Sequence, residues 1–375
     1  IYMSKSYYSL GLMSGTSMDG VDASIIQSDG KSKYKAILDK YFEYPKDIFK
    51  DLTTLRDKIK SSRDLKRFEK QTKSIEKEIT LFHAKAASKI IKKSKLNVDF
   101  IGFHGQTIFH NAEEQISRQL GDGKLLSKLT KKKVVYNFRQ NDLKNGGQGA
   151  PLTPIFHSIL VKQKKISLPV VILNIGGIAN YTFIDEKGVS SSSDLGPGNC
   201  LIDQWVRLNS KKKYDENGRI AKSGKIKKII INKALRNFKK KKLTKSSFDV
   251  KDFDISFVRG LSLEDGAATL TEYTSEILYE YLIDPEERKW ESIIIAGGGR
   301  KNKFLIKNIE NKIKSLGVLK SPLKLIDDYG VNGDFVESQA FAYLAIRSYL
   351  NLPISFPETT GACEPCSGGI IIKNF

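Results

Sequence analysis

The sequence predicts an α/β protein with two similar domains, each containing a mixed sheet flanked by helices. Strand-like and helix-like segments alternate along the chain, which is typical of this class. A layout of strand, glycine-containing turn and strand occurs in residues 9–27 and again in 168–184. The chain has 375 residues, of which 40% are hydrophobic. It is therefore long enough for two domains, each with its own core.

The first half opens with two apolar runs separated by turn-forming residues, Ser14–Gly20. This pattern predicts two strands joined by a turn within Ser9–Gln27. Apolar residues at spacings of three and four predict helical structure over Asp47–Lys95. A short buried strand is predicted at Val98–Phe103, and the glycine content of Asn145–Pro151 predicts a loop.

The second half repeats the opening, with a β-branched run at Leu168–Asn174, a glycine pair and a second strand at Ile178–Ile184. The charged segment 209–250 is predicted to be a surface insertion with helices. The remaining elements predicted in this half are a helix at Leu263–Leu282, a strand at Ser292–Ala296, a helix from about Asn302 and a helix at Phe335–Leu350.

Composition excludes several classes of protein. Only three cysteines occur, so the chain is not a disulfide-stabilised scaffold. The hydrophobic content excludes disorder throughout the chain. No apolar run approaches the ~20 residues of a membrane-spanning helix. Residues 1–9 are polar and tyrosine-rich, unlike a signal peptide. We therefore expect a cytoplasmic protein without a membrane partner.

The net charge is strongly positive, with 63 Lys and Arg residues against 42 Asp and Glu residues. A basic chain suggests anionic partners, and nucleic-acid binding is one hypothesis. However, the excess consists mostly of lysine runs such as Lys131–Lys133 and Lys239–Lys242. Interleaved arginine and aromatic residues, which are more typical of base recognition, are missing. We interpret the runs as solvated surface that favours anionic substrates such as nucleotides, and expect no nucleic-acid partner.

The turn Ser14–Gly20 has the composition of an anion site. Its glycines allow a ligand to approach the backbone, and consecutive N–H groups can form an anion nest. Asp19 is placed to hold a magnesium ion through water. The turn lacks the lysine of the P-loop motif. The alternative interpretation is an ordinary hairpin turn.

A second motif places Asp194 before the turn Gly196-Pro197-Gly198. A rigid backbone at this point would hold the carboxylate in place, as a general base requires. The alternative is a turn aspartate that bonds to its own backbone.

A third motif is a buried strand that runs into Gly297, Gly298 and Gly299 and then into a helix. This arrangement resembles a nucleotide-binding turn. Because the glycines are contiguous, it does not match the dinucleotide fingerprint. Alone, the third motif is weak evidence.

Taken in this order, the three motifs resemble the actin-like ATPase superfamily, in which ATP binds in a cleft between two similar ribonuclease-H-like domains. Within that superfamily, the chain resembles the anhydro-N-acetylmuramic acid kinases from Leu10 to about Gly369. The segments that carry this resemblance are GLMSGTSMDGVDA (11–23), FHGQTIFH (103–110), LGDGKLLSKLT (120–130), NFRQNDLKNGGQGAPLTPIFH (137–157), NIGGIAN (174–180), DLGPGN (194–199), AGGGRKN (296–302), ESQAFAYLAIR (337–347) and TGA (360–362).

GTSMDG and GGQGAPL are the most specific of these segments. The chain departs from the family pattern at Leu195, where the family usually has threonine, and at Ser338, where it usually has alanine. Neither departure touches a matched carboxylate. Residues 209–245 match poorly.

The resemblance implies an ATP-dependent kinase of cell-wall sugar recycling. Such an enzyme opens 1,6-anhydro-N-acetylmuramic acid with water, phosphorylates the freed 6-hydroxyl and releases N-acetylmuramate 6-phosphate. Opening an internal acetal requires an activated water, and two carboxylates are a familiar arrangement for that task. Asp194 matches the family's base. Glu337 matches a second carboxylate that shares or orients the water.

The remaining site residues also follow from the resemblance. Arg139 is the candidate for binding the lactyl carboxylate, and Gly105, Gln106 and Thr107 are expected to bind the sugar. Asp19 is the expected magnesium residue. The residues expected to hold ATP are Gly15, Thr16, Ser17, Met18, Asp19, Gly20, Val21 and Asp22 in the first turn and Gly297, Gly298 and Gly299 in the second half.

The predicted N-terminal domain comprises residues 1–140 plus about 351–375, and the C-terminal domain comprises residues 141–350. The sequence leaves the oligomeric state open, and a homodimer is compatible with it. One alternative function is an actin-like sugar kinase that phosphorylates a simple hydroxyl. A second alternative is a nucleotide-dependent binding or filament protein. Glu337 argues against the first, because a simple hydroxyl needs no pair of carboxylates to activate water.

Other reactive side chains receive no role in the predicted chemistry. His83 lies on the apolar face of a predicted helix, and we expect it to be structural. No pair of histidines has zinc-site spacing. Cys363 and Cys366 form a single CxxC pair, which is only half of a zinc site.

Overall fold

The structure, a computed structural model, describes residues 5–244, 247–282, 290–315 and 323–373. Its strands are β1 (Tyr7–Ser14), β2 (Gly20–Ser28), β3 (Tyr34–Glu43), β4 (Phe100–Asn111), β5 (Ile116–Leu120), β6 (Lys133–Tyr136), β7 (Val170–Ile175), β8 (Ile178–Ile184), β9 (Ser190–Pro197), β10 (Ser292–Ala296), β11 (Leu323–Leu325) and β12 (Ile370–Ile372).

Its α-helices are α1 (Lys46–Lys58), α2 (Ser62–Arg67), α3 (Glu69–Ser94), α4 (Gly123–Thr130), α5 (Gln140–Lys144), α6 (Pro154–Gln163), α7 (Cys200–Asn209), α8 (Arg219–Ser223), α9 (Lys228–Thr244), α10 (Leu263–Leu282), α11 (Lys303–Lys314), α12 (Val336–Tyr349) and α13 (Pro357–Thr360). None of the helices in the described part of the chain combines the length and the hydrophobicity needed to cross a membrane.

The chain divides into two compact units, which confirms an α/β fold with mixed sheets flanked by helices. Unit 1 comprises Ile1–Ile166 and Asp334–Phe375, and unit 2 comprises Ser167–Gly333. These boundaries differ from the sequence-based ones at 140/141 and 350/351. Helix α6 stays with unit 1 because the Gln163 side chain bonds both backbone groups of Tyr34 on β3. Helix α12 stays there because it packs on β1, β2 and β4.

The two units share one strand arrangement. The strand order is β6-β4-β1-β2-β3 in unit 1 and β11-β10-β7-β8-β9 in unit 2. Strand β2 is antiparallel to β1 and β3, and strand β8 is antiparallel to β7 and β9 in the same way. The other neighbouring strands in these two orders are parallel. Strands β5 and β12 extend the unit 1 sheet. This is the ribonuclease-H-like arrangement that the repeated hairpins predict.

Several predicted elements need correction. The helical stretch Asp47–Lys95 is divided into α1, α2 and α3. The strand predicted at Val98–Phe103 is β4, which continues to Asn111 because β1 pairs with its first half and β5 with its second. Segment 209–250 is not only surface, since Ile220, Ile231 and Phe238 are buried beside α7 and α10. The many charged residues of this segment led to the prediction of a surface insertion, although its helices also have buried apolar residues.

Two glycines allow α12 to lie directly on the unit 1 sheet. Gly11 and Gly102 are register partners on the parallel strands β1 and β4. A Cβ at Gly11 would lie 1.8 Å from the carbonyl oxygen of Ser338, and a Cβ at Gly102 would lie 2.2 Å from that of Phe341. Both obstructing atoms belong to the helix backbone. A side chain at either position would therefore push the whole helix away.

We predict that Gly11→Ala destabilises unit 1 by about 3 kcal/mol or more, because the added methyl group meets backbone that cannot rotate away. Urea denaturation measures the free energy of unfolding. Gly188→Ala serves as the control, because a Cβ there meets nothing within 4 Å and only its φ of +80° is unfavourable. Its expected cost is about 1 kcal/mol. Equal losses in the two variants would contradict the close-contact explanation.

Candidate active site

The first candidate ligand site is the turn between β1 and β2, residues 15–19. Thr16 and Ser17 are exposed, whereas the side chain of Met18 is buried. Val21, just after the turn, is also buried in the unit 1 core. Of the residues predicted to hold ATP, Met18 and Val21 therefore have only backbone atoms to offer a ligand. Asp22 lies on β2 opposite Met13.

The carbonyl oxygens of this turn are held by the protein itself. The Gly15 oxygen accepts from Gln106 Nε2 at 3.0 Å and from the Met18 N–H at 3.2 Å. The Asp19 oxygen accepts from the Tyr44 N–H at 2.8 Å and from the Tyr41 hydroxyl at 3.0 Å. Because these two oxygens already accept hydrogen bonds from the protein, they are less available to repel an anion at the turn. This arrangement favours phosphate binding.

The turn also has room for a ligand. A Cβ at Gly15 would meet only Ser17 Oγ, at 4.0 Å, whereas a Cβ at Gly20 would lie 2.4 Å from the Phe42 oxygen. The Ser17 hydroxyl donates to Asp19 Oδ1 at 2.6 Å. In the described residues, no three His, Cys, Asp or Glu side chains form a metal cluster. The role predicted for Asp19, holding magnesium through water beside the phosphates of a nucleotide, stays a prediction.

The sugar-binding candidates Gly105, Gln106 and Thr107 lie within β4, not after it. Gly105 has φ +75°, and a Cβ there would lie 2.3 Å from the Leu120 oxygen, so this position needs glycine. The side chain of Gln106 is fully buried. Its amide nitrogen holds Gly15, and its Oε1 has no hydrogen-bond partner among the described residues. Gln106 therefore links β4 to the β1–β2 turn.

Arg139 connects two of the most specific segments. Its Nη2 donates to His104 Nε2 at 2.9 Å and its Nη1 donates to the Gly149 oxygen at 2.8 Å. Burial, together with the Arg139 charge, lowers the pKa of His104 well below its ordinary value. His104 is therefore neutral. Its Nδ1–H donates to the Gly105 oxygen at 2.8 Å, so Nε2 is free to accept from Arg139.

Asp142 fastens the glycine-rich loop, and the sequence analysis did not single it out. Its buried carboxylate accepts from the Gly149 N–H through Oδ2 and from the Thr360 hydroxyl through Oδ1, both at 2.6 Å. The Gln148 N–H donates to the Thr360 oxygen at 2.9 Å. These bonds explain why the short TGA segment accompanies GGQGAP. The available signal was the position of Asp142 inside the segment 137–157.

In unit 2, Asp194 lies within strand β9 and not at a turn, because Asn180 on β8 pairs with it. Its Oδ2 accepts from the Phe248 N–H at 2.9 Å, and Ser247 Oγ lies 3.4 Å away. The carboxylate is thus held by residues of the segment 209–250, which the sequence predicted to be a surface insertion. Leu195, the departure from the family's threonine, is buried in the unit 2 core.

The three glycines after β10 are not equivalent. A Cβ at Gly297 would lie 2.4 Å from Asn174 Oδ1, and one at Gly299 would lie 2.3 Å from Ile175 Cγ2. At Gly298 the nearest atom would be Asn199 Nδ2, at 4.0 Å. Gly297 and Gly299 therefore pack the turn against β7 and the start of α7. Gly298 alone leaves open space for a ligand.

Glu337 is the second residue of α12 and belongs to unit 1, not to the C-terminal domain predicted for it. Its neighbour Ser338 is fully buried, and Ser338 Oγ lies 2.7 Å from Ser24 Oγ on β2. The serine that replaces the family's alanine thus has a polar partner. Asp194 and Glu337 come from different units.

Two ribonuclease-H-like units, an open hairpin turn after the first strand and a glycine turn after a buried strand are the features of an actin-like, ATP-dependent phosphotransferase. The sequence model of the anhydro-N-acetylmuramic acid kinase family matches residues 7–374. The chain therefore belongs to the anhydro-N-acetylmuramic acid kinase family.

Individual relatives agree with this assignment. The chain is 56% identical over 382 aligned positions to an anhydro-N-acetylmuramic acid kinase of Pelagibacter ubique (strain HTCC1062), covering 100% of both chains. It is 40% identical to one of Zymomonas mobilis, covering 96% of this chain and 98% of the relative. Among solved structures, it is similar to component A of (R)-2-hydroxyglutaryl-CoA dehydratase of Acidaminococcus fermentans, with 13% identity, a TM-score of 0.47 and coverage of 92% of this chain and 99% of that chain.

We predict that acid destabilises the protein through its buried histidines. Burial lowers the pKa of His83 and of His157 from 6.5 to about 4. Below pH 6.5 these histidines bind protons in the unfolded chain, whereas in the folded chain they stay neutral down to about pH 4. The free energy of unfolding therefore falls as the pH is lowered from 6.5 to 4. The expected loss between pH 7 and pH 5 is on the order of 2 kcal/mol per histidine.

Urea denaturation of wild type and His157→Leu at pH 7 and pH 5 measures this effect. The variant should lose less stability on acidification than wild type, whatever its stability at pH 7. Identical losses on acidification would contradict the prediction.

Proposed function

We propose that this chain hydrolytically opens 1,6-anhydro-N-acetylmuramic acid and phosphorylates its 6-hydroxyl with ATP, giving N-acetylmuramate 6-phosphate and ADP. The observation that carries the proposal is the full-length identity of 56% with a relative named for this activity. ATP-dependent phosphorylation of a sugar hydroxyl follows from the family. Because ATP is a cytoplasmic substrate, we propose that the protein acts in the cytoplasm.

Asp194 is the proposed general base. Its carboxylate takes a proton from a water molecule, whose oxygen forms a bond to the anomeric carbon while the bond from that carbon to O6 breaks. The departing O6 accepts the γ-phosphoryl group of ATP, so phosphoryl transfer replaces protonation of the leaving group. The Phe248 N–H on Oδ2 supports this role, since it fixes the position of the carboxylate. Glu337 is proposed to orient the water.

The β1–β2 turn is the proposed phosphate site, with the N–H groups of Gly15, Thr16 and Ser17 directed at the phosphates. The hydrogen-bonded carbonyl oxygens of Gly15 and Asp19 support this assignment. Magnesium bound beside Asp19 would neutralise charge on the phosphates. Gly298 is proposed to approach the nucleotide in unit 2, because a side chain there meets nothing nearer than 4.0 Å.

The sugar is proposed to bind Gly105 and Thr107 through its polar groups and Arg139 through its lactyl carboxylate. Arg139 is already fixed by His104 and Gly149, so its charge is presented without loss of side-chain freedom on binding. Gln106 is proposed to support the site through Gly15. The alternative of a kinase for a simple hydroxyl is not favoured, because the relatives are named for the anhydro sugar.

We predict ATP-dependent turnover that consumes the anhydro sugar and water. Phosphorus NMR with ATP, magnesium and the anhydro sugar should show a new phosphomonoester and ADP. In oxygen-18 water, mass spectrometry should find the label on the anomeric hydroxyl, because water attacks that carbon. Label in the phosphate would indicate simple ATP hydrolysis and refute the mechanism.

We predict that Asp194→Asn lowers turnover about 100- to 10,000-fold, because the amide cannot accept a proton from water. Glu337→Gln should lose less, since an amide can still orient water. Steady-state kinetics measures both variants, and thermal melts check folding. Asp185→Asn is the matched control, because the Asp185 carboxylate accepts from two local backbone N–H groups in the β8–β9 turn. Retention of more than about a tenth of wild-type turnover by Asp194→Asn would exclude it as the base.

A further inference from the structure

A series of buried hydrogen-bonding side chains lies directly behind the β1–β2 turn. Ser14, the last residue of β1, has its Oγ 2.9 Å from the Tyr44 hydroxyl and 3.1 Å from His83 Nε2. His83 Nδ1 in turn lies 2.8 Å from the Ile79 oxygen, one turn earlier in α3. The exposed fraction is 1% for Ser14, 5% for Tyr44 and 0% for His83. The three side chains are thus almost completely shielded from bulk solvent.

The direction of every bond follows from the Ile79 carbonyl, which can only accept. His83 Nδ1 must therefore carry the proton. Because burial lowers the pKa of His83 to about 4, the ring is neutral at pH 7 and Nε2 offers a lone pair. Ser14 then donates its one hydroxyl proton to His83. Tyr44 must donate to Ser14, and the bonds run from Tyr44 through Ser14 and His83 to Ile79.

This series reaches both ends of the β1–β2 turn. The turn begins immediately after Ser14, whose hydroxyl is fixed between two partners. It ends at Asp19, whose carbonyl oxygen accepts from the backbone N–H of Tyr44 at 2.8 Å. His83 is supported from behind by the Phe103 ring of β4, with centroids 4.9 Å apart. Tyr44 and His83 therefore hold the turn by two separate bonds without lying on its exposed side.

We propose that His83 and Tyr44 are positioning residues for ATP, which act through the Ser14 hydroxyl to hold the β1–β2 turn in its phosphate-binding geometry. The inference rests on the proposed role of this turn. It gives His83 a role in nucleotide binding, whereas its position on an apolar helix face predicted only a structural role. If packing alone mattered, leucine, which is of similar volume, would replace His83 without loss of nucleotide affinity.

The test is calorimetric titration of the protein with a non-hydrolysable ATP analogue and magnesium, and separately with the anhydro sugar. His83→Leu and Ser14→Ala should each weaken binding of the analogue about tenfold, which corresponds to ~1.4 kcal/mol and to one buried hydrogen bond. His83→Gln retains an acceptor and should bind within about threefold of wild type. Sugar affinity should stay near wild type in all three variants.

A double-variant cycle tests the path through Ser14. In the Ser14→Ala background, His83→Leu should weaken binding of the analogue by less than about twofold, because the hydrogen bond that it removes is already absent. Tyr44→Phe removes the hydroxyl but keeps the backbone bond to Asp19, and it should also weaken binding of the analogue. If His83→Leu fails to fold, this variant still tests whether the hydrogen bonds to Ser14 affect nucleotide affinity. His157→Leu is the matched control, a second buried histidine of unit 1, and should leave the affinity for the analogue unchanged.

The proposal would be overturned if the two substitutions lowered analogue affinity by the product of their separate effects in the double variant. It would also be overturned if both Ser14→Ala and Tyr44→Phe kept wild-type affinity for the analogue, or if the variants lost sugar affinity to the same extent. These outcomes differ from failure of the proposed function. If the wild-type protein turns over the sugar but the variants bind the analogue normally, only the positioning role is wrong. If the wild-type protein does not bind the analogue, both are wrong.

Discussion

The close contact between α12 and the unit 1 sheet is the constraint on which the candidate site of that unit depends. Gly11 and Gly102 stand side by side on β1 and β4, and the helix backbone lies on them without intervening side chains. The next residues along these strands lead to the β1–β2 turn and to Gly105. The first turn of the same helix contains Glu337. One packing requirement thus sets the position of three predicted site elements in unit 1.

Buried polar groups then fix what the packing leaves adjustable. The main-chain oxygens of Gly15, Asp19 and Gly149 are held by hydrogen bonds from side chains or N–H groups of other elements. Each such bond leaves a backbone N–H or a charged group, not an oxygen, for an anionic ligand. A site for phosphates and a carboxylate requires this polarity. Because these donors and acceptors are buried, losing one partner leaves the other unsatisfied.

Much of the fold was predictable from the sequence because periodicity and glycine turns are local signals. Helix α10 and strand β10 have the predicted bounds, and the repeated hairpin predicted the duplicated strand arrangement. The unit boundaries were not predictable in the same way. They depend on contacts such as Gln163 with Tyr34, which join positions far apart in sequence. Strand β3 has no predicted counterpart, because its exposed lysines mask the alternation.

The candidate site shows the same division between local and distant information. Motif resemblance pointed to Asp194, but it could not show that the backbone N–H of Phe248, in the charged segment predicted to be a surface insertion, holds its carboxylate. It proposed Gln106 as a sugar ligand, but it could not show that the amide nitrogen of Gln106 donates to the Gly15 oxygen. A motif records which residues share a stretch of chain. The hydrogen bonds that fix a reactive side chain connect segments that are far apart in sequence. The residue that donates such a bond can be of any type, provided that its backbone N–H or hydroxyl lies within hydrogen-bond distance. A backbone donor such as the Phe248 N–H leaves no trace in residue identity, and for that reason motif resemblance could not reveal which segment holds the Asp194 carboxylate.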